Sequence, residues 1–228
     1  MTPTLALFDL DGTLFLTHDP LSGRALVATL EENFGAAVDP QAPANVEHRG
    51  LTAKRIARNV LRAAGVTDAA TDDRLDRWCA SYADRYLALL AETDTSEWAT
   101  RPGAAAGLAR LRDAGLQLAL VTGNPEPIAR ARLERLALSS FFRPGTGAYG
   151  CEAEDRTTLL ALARARAGNW PAAATAEIGD TREDVATAKA SGLRSIAVRS
   201  ARTDSDELAA ADVVVDDMDG VVRALLGA

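Results

Sequence analysis

Residues 4–13 read TLALFDLDGT. The apolar run Thr4–Phe8 has the length and composition of a buried strand, and it stops abruptly at Asp9. Alternation along an extended segment puts Asp9 and Asp11 on one side of the chain. Two carboxylates held together repel, so one must bind a cation or keep a proton. Gly12 lets the chain turn sharply behind them. A polar strand-to-helix loop, with an aspartate as its cap, accounts for the same residues.

Working outward, the pattern of residues 4–8 recurs. Leu116–Val121, Ala174–Ile178, Arg194–Val198 and Asp212–Val215 are further short apolar runs. Helical patterns lie between them near Ala104–Ala114, Pro127–Leu136, Arg156–Ala167, Arg182–Ala190 and Asp217–Leu226. Strands alternating with helices of this length predict an α/β fold, a Rossmann-like parallel sheet built from right-handed βαβ units. Residues from about 15 to 95 break the rhythm. Leu21–Phe34, Leu51–Ala64 and Asp72–Leu90 read as helices, with a short one between, and no strand separates them. So long a strand-free stretch predicts an inserted α-helical unit over 15–95, within a core of 1–14 and 96–228. Pro102 suits the first turn of the helix that restarts the core.

Two other strand ends carry chemistry. Val121-Thr122-Gly123-Asn124 places a hydroxyl, a glycine amide and a side-chain amide just past a strand and before a helix. Such donors suit an anion, or simply cap the helix. Ile178-Gly179-Asp180-Thr181-Arg182-Glu183-Asp184 puts two acids one helical turn apart, which suits a hard cation such as Mg²⁺, or again a helix cap. Ligands of open α/β sheets gather at the carboxyl ends of the strands. All three clusters fall there.

Composition narrows the function. A net charge of −7 argues against nucleic acid as partner, and no apolar run is long enough to span a membrane. MTPTLALFDLDG lacks the basic start of a secretory signal, and Cys79 and Cys151 are too few for a disulfide framework. A cytoplasmic, reducing location is the expectation, with the chain a monomer or homodimer. Lys54 and Lys189 are the only lysines, so arginine is expected where another protein would use lysine. His18 and His48 have no partners at metal-ligand spacing. Trp78, Tyr82 and Tyr86 follow a helical spacing and read as core.

The series FDLDGT, LVTGN and IGDTREDVATAKASG resembles the haloacid dehalogenase superfamily of phosphohydrolases. The helical insert after the first motif resembles its C1-capped, phosphoglycolate-phosphatase-like branch. The resemblance implies Asp9 as the nucleophile that forms an aspartyl-phosphate, and Asp11 as general acid and then base. It implies that Thr122 binds the transferring phosphoryl group, with Gly123 and Asn124 beside it. Asp180 would hold Mg²⁺ together with Asp9 and the main-chain carbonyl of Asp11, with Asp184 in support. The substrate would be a small phosphorylated metabolite.

Two departures stand out. The resemblance calls for one cation on the phosphate, usually lysine, and Arg156 is the best placed, ahead of Arg143, Arg164 and Arg166. A surface arginine paired with Asp155 or Glu152 is the alternative. Many relatives carry Asp-Ser shortly after Gly-Thr, where this chain has Leu14-Phe15-Leu16-Thr17-His18-Asp19. In the insert, His48-Arg49-Gly50-Leu51-Thr52 resembles the loop by which such caps address substrate. Arg49 would meet a carboxylate or second phosphate, assisted by Lys54; a solvated helix start capped by Thr52 is the other reading. A dehalogenase needs neither Asp11 nor the metal-site acids, and Asp11 argues against a phosphonatase. A sugar-phosphate mutase shares every core motif and is the enzymatic alternative. A non-catalytic phosphometabolite-binding protein would be expected to have lost Asp9, Asp11 or Asp180.

Overall fold

Leu5–Phe8 forms β1, buried along its whole length. A strand hidden on both faces belongs in the middle of a covered parallel sheet. In the computed structural model, which describes residues 4–201, 203 and 205–227, β1 lies between Gln117–Thr122 (β2) and Thr175–Gly179 (β4), parallel to both. Ala148–Tyr149 (β3), Arg194–Val198 (β5) and Val213–Val215 (β6) complete a six-stranded sheet of order β3-β2-β1-β4-β5-β6. The chain winds outward to β3, then returns to the centre at β4. That reversal opens a crevice at the carboxyl ends of β1, β2 and β4.

Period-two alternation divides the core. Ala6, Phe8, Leu118, Leu120 and Ile178 face Ala104–Asp113 (α6), Glu126–Arg135 (α7) and Met218–Leu226 (α10). Leu5, Leu7, Ala119 and Val121 face Arg156–Arg166 (α8) and Arg182–Ala190 (α9).

Between β1 and β2 the chain first builds helices Pro20–Phe34 (α1), Ala42–Asn45 (α2), Ala53–Ala63 (α3), Asp68–Asp72 (α4) and Leu75–Ala91 (α5). They have their own core of Leu26, Leu30, Val60, Leu61, Trp78 and Tyr86, into which α7 inserts Ile128. Trp78, Tyr82 and Tyr86 recur every four residues on the inner face of α5, and Trp78 donates its indole N–H to Thr29 at 2.9 Å. Asp19 caps α1, accepting from Leu21 N at 2.9 Å.

The structure departs from the sequence reading in detail. β3 is only two residues long, too short to register as an apolar run. The stretch read as a helix over Asp72–Leu90 is α5, which starts three residues later at Leu75, and the short helix α4 precedes it. Pro102 lies outside α6, whose N-cap is Gly103 with φ of 76°. Cys79 on α5 and Cys151 after β3 are joined in a disulfide. A count of cysteines bears on frameworks of several bridges; it does not reveal that one pair becomes adjacent when α5 settles on the core.

The helical unit also docks on the core through backbone. Ala53 N donates to Gly123 O at 2.8 Å and Lys54 N to Gly150 O at 3.2 Å. Any side chain at position 123 would strike the Leu51 carbonyl, so Gly123 permits this approach.

Candidate active site

Asp9 extends β1 by one residue, its N–H donating to Ile178 O at 2.9 Å. This fixes its side chain at the sheet's crevice, 6% exposed. Asp180 follows β4 directly, and Asp184 lies one turn into α9; both are buried. Each of Asp9, Asp180 and Asp184 offers an oxygen within 4.8 Å of the others. Burial, then the Asp184 charge, holds Asp9 well above the usual carboxylate range, against the pull of Arg156. Burial and Asp184 likewise push Asp180 up to about 6. Crowded hard oxygens of this kind fit a divalent cation, which would discharge their repulsion. Asp184 Oδ1 is held by Arg156 Nη2 in a close ion pair, so a cation bound here would share that oxygen with Arg156.

Asp184 serves two purposes at once. Its Oδ2 accepts from Thr181 N at 2.9 Å and from Thr181 Oγ1 at 2.5 Å, closing a capping box on α9. The two readings of this acid, helix cap and site acid, therefore use different oxygens.

Gly12 turns the loop with φ of 84°, and a side chain there would collide with the Asp180 carboxylate. Buried Arg101 clamps the loop from below, donating to Gly12 O at 2.6 Å and Thr13 O at 2.7 Å. Asp11 points the other way from this clamp. It accepts from Asn124 Nδ2 and, at 2.8 and 3.1 Å, from Arg132 Nη1. Asn124 Nδ2 also donates to Thr122 Oγ1 at 2.9 Å. Thr122 and Asn124 do not cap α7, whose N-cap is Pro125; they turn towards Asp11.

Arg156 opens α8 beneath Asp9, with its side chain 2% exposed. Nη2 donates to Asp9 Oδ1 at 3.0 Å and meets Asp184, while Nη1 donates to Gly50 O at 3.1 Å. The alternative partners are engaged elsewhere: Asp155 caps α8, and Glu152 binds Arg166 at 2.6 Å. Behind Arg156 lies Glu177, buried within β4, with its carboxylate 3.6 Å from Arg156 Nε. Burial pushes the Glu177 carboxyl well above the usual range.

The insert's candidates separate. Arg49 donates to Thr203 Oγ1 and lines a cleft of about 210 Å³ with His48, Thr181, Arg182 and Glu183. Its charge acts on Asp180 to hold that carboxyl down. Lys54 pairs with Asp76 of α5 instead and is not brought to the Asp9 cluster. Thr52 caps α3, accepting from Arg55 N at 3.2 Å, and also donates to Glu154 O at 3.0 Å.

Arg132, Glu177 and Arg101 were not singled out by the sequence motifs. Two had a signal. Arg132 sits four residues after Ile128 on the buried face of α7, and Glu177 interrupts a buried strand. A charge at an apolar-face position needs a partner.

Residues 3–192 match the family described as haloacid dehalogenase-like hydrolase. A phosphoglycolate phosphatase of Rhodospirillum rubrum is 36% identical over 197 residues, covering 84% of this chain and 77% of that protein. A predicted phosphatase from Clostridium acetobutylicum has the same fold with a TM-score of 0.70, at 22% identity over 100% of both chains. A beta-phosphoglucomutase from Clostridium difficile also shares it, with a TM-score of 0.66, at 15% identity over 95% of this chain and 92% of that one. Among the described residues no helix is long and apolar enough to cross a membrane.

Proposed function

The chain belongs to the haloacid dehalogenase-like hydrolases and is a phosphatase; from that membership we propose that it hydrolyses a small phosphorylated metabolite through an aspartyl-phosphate on Asp9, with Mg²⁺ as cofactor. The observation that carries the reading is the buried group of Asp9, Asp180 and Asp184 with Arg156 wedged among them. A cluster of acids with one fixed cation is poised to receive a second cation and an anion together.

Asp9 attacks phosphorus with its carboxylate. The bond to the leaving oxygen breaks, and that oxygen takes a proton from Asp11. Thr122 Oγ1 and Arg156 hold the phosphoryl oxygens; the Arg156 fork, engaged by Asp9, Asp184 and the Gly50 carbonyl before substrate binds, exchanges N–H groups from these partners to the phosphate. Asp11 then accepts a proton from the water that hydrolyses the acyl-phosphate. Mg²⁺, held by Asp9, Asp180 and the Asp11 carbonyl with Asp184 nearby, would neutralise the carboxylates and the charge spread over the phosphoryl oxygens. The helical insert acts as a cap: its loop 48–52 closes over Thr181 and Gly123, and Arg49 reads the far end of the substrate.

The 36% identical relative makes 2-phosphoglycolate the first substrate to test. Arg49 lines a cleft beside the Asp9 cluster whose wall also carries Arg182 and three glutamates, Glu47, Glu183 and Glu207, so Arg49 and Arg182 are the groups there that could meet a substrate carboxylate. Purified enzyme should release phosphate from 2-phosphoglycolate with Mg²⁺ and not with chelator. A panel of phosphate monoesters in which none turns over would overturn the proposal.

A further inference from the structure

Arg132 is a buried cation that the reaction scheme above leaves unused. Its side chain is 3% exposed, on the face of α7 that carries Ile128 and Leu133. Nη1 serves the core: Asp11 Oδ1 at 2.8 Å, Asp11 Oδ2 at 3.1 Å and Asn124 Oδ1 at 3.1 Å. Nη2 serves the cap: Asp19 Oδ2 at 2.6 Å and Ser22 Oγ at 2.5 Å. Nε donates to Tyr86 Oη at 3.0 Å, and Tyr86 in turn donates to Asp19 Oδ2 at 2.7 Å. The guanidinium plane packs against the rings of Phe15 and Tyr86, 5.4 and 5.2 Å from their centroids.

A guanidinium has five N–H donors in a fixed fork. Every nitrogen of Arg132 has an acceptor, so no donor face is left for a substrate. Burying such a cation with two carboxylates is a poor way to gain stability, since apolar residues of similar volume do as well or better. What the fork does achieve is rigid geometry. Its core half fixes Asp11, and its cap half fixes the N-cap of α1 and the middle of α5. The bond from Cys79 to Cys151 ties α5 to the core, so the Asp19, Ser22 and Tyr86 contacts brace the fork against Asp11.

We propose that Arg132 is a positioning residue that holds Asp11 in place for proton transfer by tying it to Asp19, Ser22 and Tyr86 of the cap. The inference rests on the phosphatase reading above. In the step concerned, the bond between Asp9 and phosphorus forms and the bond to the leaving oxygen breaks. The electron pair stays on that oxygen, and the Asp11 proton moves to it. Arg132 takes no part in the bonds; it sets where Asp11 stands.

Leaving-group basicity separates this role from a structural one. An alkoxide leaves poorly without a proton, whereas p-nitrophenolate leaves without one. The experiment measures kcat/KM for p-nitrophenyl phosphate and for 2-phosphoglycolate in wild type, Arg132→Lys, Arg132→Met and Asp19→Asn, with thermal midpoints alongside. kcat/KM reports the steps up to departure of the alcohol. In both Arg132 variants the alkyl ester should lose roughly a hundredfold, the size of a general-acid contribution, and the aryl ester less than about fivefold. Lysine should not restore the ratio, because one ammonium cannot span both halves. Asp19→Asn leaves Arg132 and Asp11 intact and covers the case in which Arg132→Met does not fold; it should shift the ratio the same way, less far. Equal losses on the two esters, or no loss in Arg132→Lys, overturn this inference alone. A wild type inert to both esters overturns the phosphatase reading and this inference with it.

Discussion

Arg156 Nη2 donates to Asp9 Oδ1 at 3.0 Å, and both side chains are buried. The cation proposed to hold the phosphoryl group rests on the carboxylate proposed to attack it. The two proposed roles are thus joined by one hydrogen bond.

That relationship gives the first prediction. Arg156→Ala should lower kcat for every phosphate ester alike, by about 2–4 kcal/mol in barrier, as for other lost electrostatic donors. Arg156→Lys should recover part of this. Steady-state kinetics on one alkyl and one aryl phosphate check it; a loss confined to one substrate would assign Arg156 to specificity instead.

Arg49 should behave in the opposite way. It lines the cleft and lies outside the Asp9 cluster, so Arg49→Ala should weaken 2-phosphoglycolate roughly ten- to hundredfold in kcat/KM, the worth of a charge-assisted hydrogen bond. An alkyl phosphate without a carboxylate should be nearly unaffected. Equal losses on both would remove Arg49 from substrate recognition.

The metal-free site carries a pH signature. Asp180 is pushed up to about 6 by burial and Asp184, above its ordinary 3.8. The folded state therefore holds this proton more tightly than the unfolded chain does. Its contribution favours the fold below about pH 4 and is lost as pH rises to about 6, a change of about 3 kcal/mol. Asp9, raised by burial, acts with the same sign. Thermal melts in chelator should show a fall in midpoint across this window that is smaller in Asp180→Asn. Mg²⁺ should raise the wild-type midpoint at pH 7.5 and scarcely move it at pH 4.5. A midpoint indifferent to Mg²⁺ at both values would count against the metal site.

The bond between Cys79 and Cys151 closes a loop with a sequence separation of 72. Chain entropy alone assigns about 4 kcal/mol to such a loop, or about 10 °C in midpoint for a protein of this size. Melting with and without reductant measures it, with Cys151→Ser as the control that no longer responds. Identical midpoints would mean the bond does not stabilise the fold.

Legibility in the sequence followed locality. Asp9, Asp180 and Thr122 are legible as candidates because each ends a strand whose apolar run is visible, and parallel sheets bring strand ends together. Arg156 is legible as a candidate by its place at the start of a helix before β4, and the structure sets it against Asp9. What escaped were groups whose meaning depends on contacts across long separations. Arg132 meets Asp11 and Asp19 from α7, and Cys79 meets Cys151 between the helical insert and the sheet core. Arg101 reaches back to Gly12. Lys54 shows the converse: proximity in sequence to Arg49 does not place its ammonium beside Arg49, because α3 turns it towards Asp76.

The most direct test compares wild type with Asp9→Asn, freed of host phosphatases, for phosphate release from 2-phosphoglycolate with Mg²⁺ and with chelator. An amide is a poor nucleophile and a poor ligand for a hard cation. Phosphate should appear only with wild type and Mg²⁺, with the variant down by more than the hundred- to ten-thousandfold, roughly, of an acid/base group alone and its far-ultraviolet dichroism unchanged. Turnover by Asp9→Asn above about a tenth of wild type, or equal wild-type turnover in chelator, would contradict the account.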